Sequence, residues 1–508
     1  MKLKFSEYKD KVRACWLGKN IGGTLGAPFE CIRGAYDLDY YTHDLSLGVL
    51  PNDDLDLQIC WLNAAEQYGK AVNAEVLAEF WVNYVVADWS EYGAGKNNLR
   101  YGILPPLSGW YKNHNKDSCG CFIRSEIWAC LAPGHPEIAV KYAYEDAICD
   151  HADEGVYGEL FCAALQSAAF VEKDMDKLVQ IAKAYIPLDC AVAKAVDTAI
   201  ECYRSGIDWK AARKVILNKF PGSFGMYRGY TDQTPEEDVA VGSLGYDVPS
   251  NLGLMMLGWV YGEGDFSKSI CIAAGCCEDG DCTAGTLGAT LGILYGTKCI
   301  DEKWLKPIGD EIKTISLDRT KSAASGFRVS KTVTDLSDRV VNLMPTFMQG
   351  FISFDEQGQL SFADVDAVST GNIRRGTMTF TTMESELCGT FVKARKSSPL
   401  FDAEVIYADG NIDISAGQKK DFTLRLRNKH HTHQWVTVRM HLPDGISSAH
   451  GKEISVFVDN YHGGCGVTEH VFSLIADENC RGKCKVLLEI KANGRPTTIY
   501  LPLVLLAR

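Results

Sequence analysis

The chain has 508 residues, a formal net charge of −13 at pH 7 and 46% hydrophobic residues. The hydrophobic fraction excludes a chain that is disordered as a whole, and the length predicts two to four domains. The acidic charge argues against nucleic-acid or anionic-membrane partners. The 19 cysteines, many within apolar runs, predict reduced, mostly buried thiols in a cytoplasmic protein. The first residues lack an apolar signal core, and no apolar run is long enough to predict a membrane span.

The first predicted helix covers residues 6–25 and leads into the glycine-rich stretch GKNIGGTLGAPFE. Apolar residues recur at helical spacing in its first half, and Pro28 favours an end to the helix. Glu30 follows directly. Without further information, an exposed loop carboxylate is the simpler interpretation of Glu30.

A second helix is predicted from LPNDDLDLQICWLNAAEQYG. Asn52 precedes it, Asp53 and Asp54 occupy its first turn, and Asp56 lies slightly further in. A single acid at a helix start is more often a cap for free N–H groups than a chemical group. Two adjacent acids are less common, and they favour a metal site.

Helical patterns continue almost to residue 350, with little strand-like alternation. The sequence predicts residues 1–349 as an all-α domain. Its predicted helices cover 74–89, pieces of 119–170, 174–220, 301–315 and 334–348. Residues 91–116 are predicted to form a loop, and residues 222–238 a lid or pocket rim. His151 lies in a short polar joint between two apolar helices, where a hydrogen-bonding role is the simpler interpretation.

The stretch AAGCCEDGDCTAGTLGATLGILYG at 273–296 repeats the paired-acid pattern. Asp279 and Asp281 flank Gly280 at the start of a predicted helix. Glycines at 285, 288, 292 and 296 follow at spacings that place them near one helix face. Each glycine costs a helix about 1 kcal/mol relative to alanine. The pattern therefore predicts a buried helix that approaches another backbone closely.

After residue 350 the pattern becomes alternating and rich in β-branched residues. Residues 350–508 are predicted to form a β-sandwich of seven or eight strands. Three histidines lie in one predicted turn, where a solvated turn is favoured over a metal site: His430, His431 and His433. The spacings Cys119–Cys121 and Cys480–Cys484 are weak candidates for zinc binding.

Two pairs of carboxylates at two helix starts can converge if the helices pack side by side. Such hard oxygen ligands suit Mg²⁺ or Mn²⁺ and support metal-assisted hydrolysis. The spacing of these acids does not identify a substrate.

Four separated motifs carry a resemblance to a known family: GKNIGGTLGAPFE, NDDLDLQICWL, CGCFIRSEIWACLAPG with DHADEGVYGELFCAAL, and EDGDCTAGTLGATLG. Their order over residues 10–350 resembles the ADP-ribosylglycohydrolase family. The resemblance implies an orthogonal all-α bundle with a binuclear Mg²⁺ or Mn²⁺ centre. It also implies cleavage of the N- or O-glycosidic bond that joins ADP-ribose to a protein side chain or a small acceptor. The whole chain is then an α+β multidomain protein, with a small-molecule or ADP-ribosylated substrate, and it can form a homo-oligomer.

The resemblance also assigns roles to individual residues. The implied metal ligands are Asn52, Asp53, Asp54, Asp279, Asp281 and Thr283. The implied catalytic residues are Glu30, Asp54 and Asp281, and the implied substrate-binding residues are Gly120, Cys121 and His151.

The chain departs from the family pattern at three of these motifs. Gly23 stands where the family commonly has Asp, Asn52 where it has Thr or Ser, and Cys282 where it has Thr. A thiol is a poor Mg²⁺ ligand, so Thr283, Asp56 or water would have to supply the missing oxygen. The prediction of a second metal ion therefore has less support from the sequence than the prediction of the first. Two alternatives stay open, namely a binding protein without turnover and a glycosidase of a nucleoside or carbohydrate derivative.

Overall fold

The computed structural model describes residues 3–224, 236–317, 326–354, 360–362, 387, 389–430, 432–460 and 466–508. Most of the predicted lid at 222–238, most of the predicted strand segment 360–387, and His431 lie outside the described residues.

The first part of the chain is helical, as predicted. Its helices are α1 Phe5–Gly26, α2 Asp53–Tyr68, α3 Ala74–Tyr84, α4 Ser90–Arg100, α5 Leu107–Trp110, α6 Glu126–Leu131, α7 Pro136–Ala147, α8 Glu154–Ala169, α9 Met175–Lys183, α10 Ala191–Arg204, α11 Trp209–Lys219, α12 Val248–Gly262, α13 Phe266–Gly275, α14 Gly280–Tyr295, α15 Glu302–Leu305 and α16 Val333–Phe347. Among the described residues, no helix combines the length and the apolar character that crossing a membrane requires.

Two predictions of secondary structure are wrong. Residues 91–116 are not a continuous loop, because most of α4 and all of α5 lie within them. The glycines of α4 are sites of close packing: a Cβ added to Gly95 would lie 2.7 Å from the Cβ of Asp150. The predicted helix over 301–315 is reduced to the single turn α15, and an isolated bridge at Glu311 pairs that segment with Thr332 instead.

The predicted close approach of the glycine-rich helix is confirmed. Helix α14 packs along α1, and Gly18 of α1 faces Gly288 of α14. A Cβ on either glycine would overlap the other's backbone carbonyl. Further along, Gly22 meets the backbone of Ala284 in the same way. This contact brings the end of α1 beside the start of α14, where two of the predicted acids lie.

The remaining elements are strands. They are β1 Ile352–Phe354, β2 Leu360–Phe362, β3 Lys393–Ser397, β4 Phe401–Tyr407, β5 Asp413–Ile414, β6 Lys419–Asn428, β7 Gln434–His441, β8 Ile446–Ser448, β9 Glu453–Val458, β10 Val467–Ala476, β11 Gly482–Ala492 and β12 Thr498–Ala507. Strands β1 and β2 form an antiparallel pair in which Ser353 lies opposite Ser361.

The other ten strands form two five-stranded sheets. Their orders are β3-β4-β6-β10-β8 and β5-β12-β11-β7-β9. Neighbouring strands are antiparallel except for β5 and β12. Alternate residues of both sheets, such as Leu424 on β6 and Leu488 on β11, belong to one buried core. Two sheets that share one core form a sandwich, as predicted, with more strands than expected.

The chain divides into two compact units, 1–96 with 112–387 and 97–111 with 388–508. Strands β1 and β2 belong to the first unit. Residues 97–111 belong to the second unit, where Ile103 and Leu107 are buried in the core of the sandwich. The predicted division at 349/350 placed β1 and β2 with the sandwich and residues 97–111 with the helices, so the two units differ from it at both places.

The cysteines that the structure describes are free thiols, and all of them except Cys31 and Cys299 are buried. This agrees with the predicted reduced, buried state for that part of the chain.

Candidate active site

The two pairs of acids lie at neighbouring helix starts in the first unit. Asp53 and Asp54 begin α2, and Asp279 and Asp281 stand on either side of the first residue of α14. Side-chain contacts connect the two helix starts. The Asn52 Nδ2 donates to Asp281 Oδ2 at 3.3 Å. The structure therefore brings together the four carboxylates that the sequence singled out.

Asn52 is placed by its role as the cap of α2. Its Oδ1 accepts from the backbone N–H of Asp54 at 2.7 Å, the usual geometry of a helix cap. Its amide nitrogen faces Gly23 and would lie 2.5 Å from a Cβ at that position. Two of the departures from the family pattern are thus neighbours in space, since the Asn52 amide occupies the space that a side chain at position 23 would need.

The backbone before α14 is fixed by a buried ion pair. Cys277 and Glu278 both have positive φ values, 60° and 59°, which are costly for residues other than glycine. Arg33 donates to both oxygens of Glu278, at 2.6 and 2.9 Å, and the pair is buried. The segment also forms a bridge between Ile32 and Glu278. These contacts hold Asp279 at the site.

The acids of α14 are buried and only partly satisfied. Neither carboxylate oxygen of Asp279 nor Oδ1 of Asp281 has a hydrogen-bond partner among the described residues. Burial raises the pKa of Asp279 to about 7. Burial, together with the carboxylate of Glu30, raises the pKa of Asp281 well above its ordinary value. These are the properties of carboxylates arranged to receive a cation.

Asp53 has a partner that the sequence did not reveal. The hydroxyl of Tyr92, in α4, donates to Asp53 Oδ2 at 2.9 Å. Burial and the neighbouring charge of Asp54 raise the pKa of Asp53 well above its ordinary value. Because residues 91–116 were predicted as a loop, no helical pattern pointed to Tyr92.

A buried lysine is the second residue that sequence reasoning missed. Lys19 of α1 is 1% exposed, and its Nζ lies 3.0 Å from Asp54 Oδ2 and 3.2 Å from Glu126 Oε1. Burial alone would lower the pKa of Lys19, but the carboxylates of Asp54 and Glu126 raise it above its ordinary value. Lys19 is therefore a charged ammonium beside the cluster of acids.

Glu30 lies on the segment that follows α1, and its catalytic role stays a prediction. It follows the short 3₁₀ turn Ala27–Phe29 and is half-buried. The adjacent Cys31 N–H donates to the carbonyl of Glu278 at 2.8 Å, which ties this segment to the start of α14. The influence of Glu30 on the pKa of Asp281 places its carboxylate within electrostatic range of the site.

The two residues considered as replacements for a missing oxygen ligand have other contacts. The Thr283 hydroxyl donates to the Gly280 carbonyl at 3.1 Å and lies 3.4 Å from the Ala273 carbonyl. Asp56 Oδ2 accepts from the backbone N–H groups of Ile315 and Ser316, at 2.8 and 2.5 Å. These contacts fix local structure, and Thr283 as a ligand stays a prediction.

Cys282, by contrast, faces the acids. Its Sγ lies 3.7 Å from Asp54 Oδ1. Ligand atoms of Asp54, Asp281 and Cys282 lie within 4.8 Å of one another, and no other set of three such residues was found in the described part of the chain.

The predicted substrate-binding residues lie in a different buried cluster. His151 is 0% exposed, and its Nδ1 lies 2.9 Å from Asp150 Oδ1. Gly120 is buried and has no side chain to donate, but its carbonyl accepts from Arg124 at 3.0 Å. The Cys121 thiol donates to the Gly155 carbonyl at 2.6 Å. A substrate-binding role for these three residues stays a prediction.

Comparison with known proteins adds one decisive observation. The model of the family described as "ADP-ribosylglycohydrolase" matches residues 5–339, about two thirds of the chain. The chain belongs to the ADP-ribosylglycohydrolase family. No curated protein matches it at a significant level. One solved structure that matches, titled "ADP-ribosylglycohydrolase-related protein complex", is 16% identical with a TM-score of 0.41, and the match covers 68% of this chain and 100% of that one.

The donor atoms at the acids fit a divalent cation. Unpartnered, buried carboxylate oxygens are costly unless a cation or a proton compensates them. Oxygen donors from Asp54, Asp279 and Asp281 suit Mg²⁺ or Mn²⁺, whereas the Cys282 thiol suits softer metals. The carboxylates are the larger group, so a hard ion held by their oxygens fits this site best.

Proposed function

We propose that this member of the ADP-ribosylglycohydrolase family is a metal-dependent hydrolase that cleaves a glycosidic bond of an ADP-ribosylated or related ribosyl compound. Family membership supports the reaction class. The observation that carries the metal dependence is the meeting of two helix starts whose buried carboxylates lack protein partners. Charges of one sign, so close together and buried, require a cation for full ionisation.

Each acid has a proposed role. Asp53, Asp54, Asp279 and Asp281 would hold Mg²⁺ or Mn²⁺. A bound divalent cation would orient the ribose hydroxyls and stabilise negative charge near the reacting bond. Glu30, half-buried at the edge of the cluster, would accept a proton from the attacking water. The water oxygen then bonds to the anomeric carbon, the glycosidic bond breaks, and the proton held by Glu30 passes to the leaving group, directly or through solvent.

The test is a panel of N-linked and O-linked ADP-ribosyl substrates with Mg²⁺ or Mn²⁺, with products identified by mass spectrometry. Asp281→Asn should lower turnover by roughly 100-fold or more at saturating metal, because it removes a negative charge and leaves a single oxygen that cannot serve both Asn52 and the metal. Asp338→Asn is the control, since Asp338 is an exposed acid on α16 and should keep wild-type activity. Full activity of Asp281→Asn would contradict the proposal.

A second candidate is a protein that binds a nucleotide or sugar without turnover. Two contacts favour it, because they satisfy part of the acid cluster without a metal: the Asn52 amide on Asp281 and the Lys19 ammonium on Asp54. Detectable hydrolysis of any substrate in the panel would exclude this candidate. Hydrolysis of a riboside or carbohydrate derivative without hydrolysis of ADP-ribosyl compounds would identify a different glycosidic linkage.

A further inference from the structure

Lys19 is held in place by three acceptors. Its Nζ lies 3.0 Å from Asp54 Oδ2 and 3.2 Å from Glu126 Oε1, and it donates to Thr286 Oγ1 at 2.9 Å. Two of the three N–H donors of this ammonium make hydrogen bonds, to Glu126 and Thr286, and the contact with Asp54 is an ion pair. The Lys19 side chain is fully buried, as are those of Asp54 and Glu126. Water therefore does not screen these interactions as it would at the surface.

The anchor behind Lys19 is itself fixed. Glu126 Oε1 accepts from Gln166 Nε2 at 3.2 Å, and Glu126 Oε2 accepts from Gln58. Gln58 in turn donates to the carbonyl of Ile123 at 3.0 Å and accepts from the backbone N–H of Ile127 at 2.9 Å. These contacts hold Glu126 in place. If the Lys19 ammonium moved away, the buried carboxylates of Asp54 and Glu126 would lose their positive partner, which is costly.

This arrangement divides the oxygens of Asp54. Oδ2 lies against the Lys19 ammonium, while Oδ1 lies 3.7 Å from Cys282 Sγ, on the side of the other acids. Asp281 is divided similarly, since Oδ2 accepts from Asn52 Nδ2 and Oδ1 lacks a partner among the described residues. Asp54 therefore has the Lys19 ammonium at Oδ2 and only the weak thiol donor of Cys282 at Oδ1, whereas Asp281 has an amide donor at Oδ2 and, in the described part of the chain, none at Oδ1.

A carboxylate can bridge two divalent ions by giving the first oxygen to one ion and the second oxygen to the other. The Lys19 ammonium and the Asn52 amide occupy that second position on Asp54 and Asp281. The ammonium also supplies one of the positive charges that the four clustered acids require. From the fixed position of Lys19 we propose that its ammonium takes the place of a second metal ion, so that this centre binds one divalent cation per chain. The proposal deepens the proposed function, since it rests on the same acids binding a metal.

The experiment counts bound metal and does not depend on activity. Apoprotein prepared with a chelator is equilibrated with MnCl₂, separated from free metal by gel filtration, and analysed for manganese by elemental mass spectrometry. Wild type should carry one Mn²⁺ per chain. The double variant Lys19→Met/Glu126→Gln removes one charge of each sign, and the amide oxygen introduced at position 126 can still accept from one of the two neighbouring amides, Gln58 or Gln166. This variant should carry two Mn²⁺ per chain.

Lys11→Met is the matched control. Lys11 lies two turns earlier on α1, is 2% exposed, and donates to the backbone carbonyl of Phe170 at 2.8 Å, away from the acids. The Lys11→Met protein should still carry one Mn²⁺ per chain.

Either two ions or none in wild type overturns the proposal, whether or not the double variant folds. A folded double variant that still carries one ion also overturns it. The metal count and the test of function can fail separately. Hydrolysis with two bound ions would contradict this inference alone. One bound ion without hydrolysis of any substrate would contradict the proposed function alone.

Discussion

The first unit contains two buried clusters of charge that differ in how they are compensated. In the Arg124 cluster, made of Arg124, Asp146, Asp150, His151 and Glu159, the guanidinium donates to both oxygens of Asp150, at 2.6 and 3.1 Å. It also donates to Asp146 Oδ1 at 2.8 Å. In the carboxylate cluster, made of Asp53, Asp54, Asp279 and Asp281, three oxygens of Asp279 and Asp281 lack partners among the described residues.

The two clusters show how an acid that stabilises the fold can differ from an acid that binds a ligand. An acid whose oxygens are all hydrogen-bonded by the protein contributes to the fold, and it has no oxygen left for a ligand. An acid kept buried without such partners lowers stability, and a protein tolerates that cost mainly at functional sites. Burial alone therefore does not distinguish a catalytic carboxylate from a structural one. A missing donor does not do so by itself either, since both oxygens of the buried Glu159 in the Arg124 cluster also lack hydrogen-bond partners among the described residues. The carboxylate cluster differs in that several such oxygens meet at two helix starts, with no guanidinium beside them in the part of the chain that the structure describes.

The largest expected effect comes from removing the cation of the Arg124 cluster. Arg124→Met should lower the free energy of unfolding by about 5 kcal/mol, because it leaves more than one buried carboxylate without its partner. It also removes the contact of the guanidinium with the ring of Trp81, at 5.1 Å. Urea denaturation followed by circular dichroism measures the change.

Arg204→Met is the control for this prediction. Arg204 pairs with Asp176 at 2.7 Å, but both side chains are more than half exposed. Exposed pairs contribute little, so this variant should change stability by less than about 1 kcal/mol. Equal losses in the two variants would mean that the Arg124 cluster is not a structural anchor.

Asp247 is a further buried acid, and its ionisation should make the stability of the protein depend on pH. It is 1% exposed, and it accepts from the backbone N–H groups of Ser223 and Phe224, at 2.6 and 2.8 Å. Burial outweighs these bonds and raises its pKa to about 7. The folded protein then binds a proton that the unfolded chain has released between about pH 4 and 7, so stability falls as the pH rises through that range.

Asp247→Asn should remove this loss. The free energy of unfolding of the variant, measured relative to that of wild type, should rise by about 4 kcal/mol between pH 4 and pH 8. It should not change further above pH 8. Urea titrations of both proteins across this range give the difference. A difference that is constant with pH would show that Asp247 ionises normally in the folded state.

The sequence predicted the parts of the site that depend on local pattern. Paired acids at a helix start and glycines at spacings of three and four are visible within a few residues. Asp281 lies at the start of α14 and Gly288 lies against another backbone, as the pattern predicted, although the pattern did not name Gly18 as the partner. The order of the motifs predicted the family, which the family match over residues 5–339 confirmed.

The parts that were missed depend on partners far along the chain. Lys19 is separated from Glu126 by 107 positions and from Thr286 by 267, so its sequence neighbours do not reveal that it is buried and paired. Tyr92 escaped notice for a different reason, since the glycines of α4 were interpreted as loop residues. Residues 97–111 likewise gave no local sign that they join the core of the sandwich.

The smallest expected effect is also the most direct test of the comparison, because it predicts opposite signs for the same chemical change. Asp150→Asn should lower the free energy of unfolding by about 2 kcal/mol, since it replaces two charge-assisted hydrogen bonds with Arg124. Asp279→Asn, measured in the presence of a chelator, should raise it by about 1 kcal/mol, because it removes a buried charge that lacks protein donors. With saturating Mn²⁺ the order should change, since the wild type then gains binding energy that the Asp279→Asn protein cannot match. If both substitutions destabilise the apoprotein equally, Asp279 is a structural acid like Asp150, and the two clusters do not differ in the way proposed here.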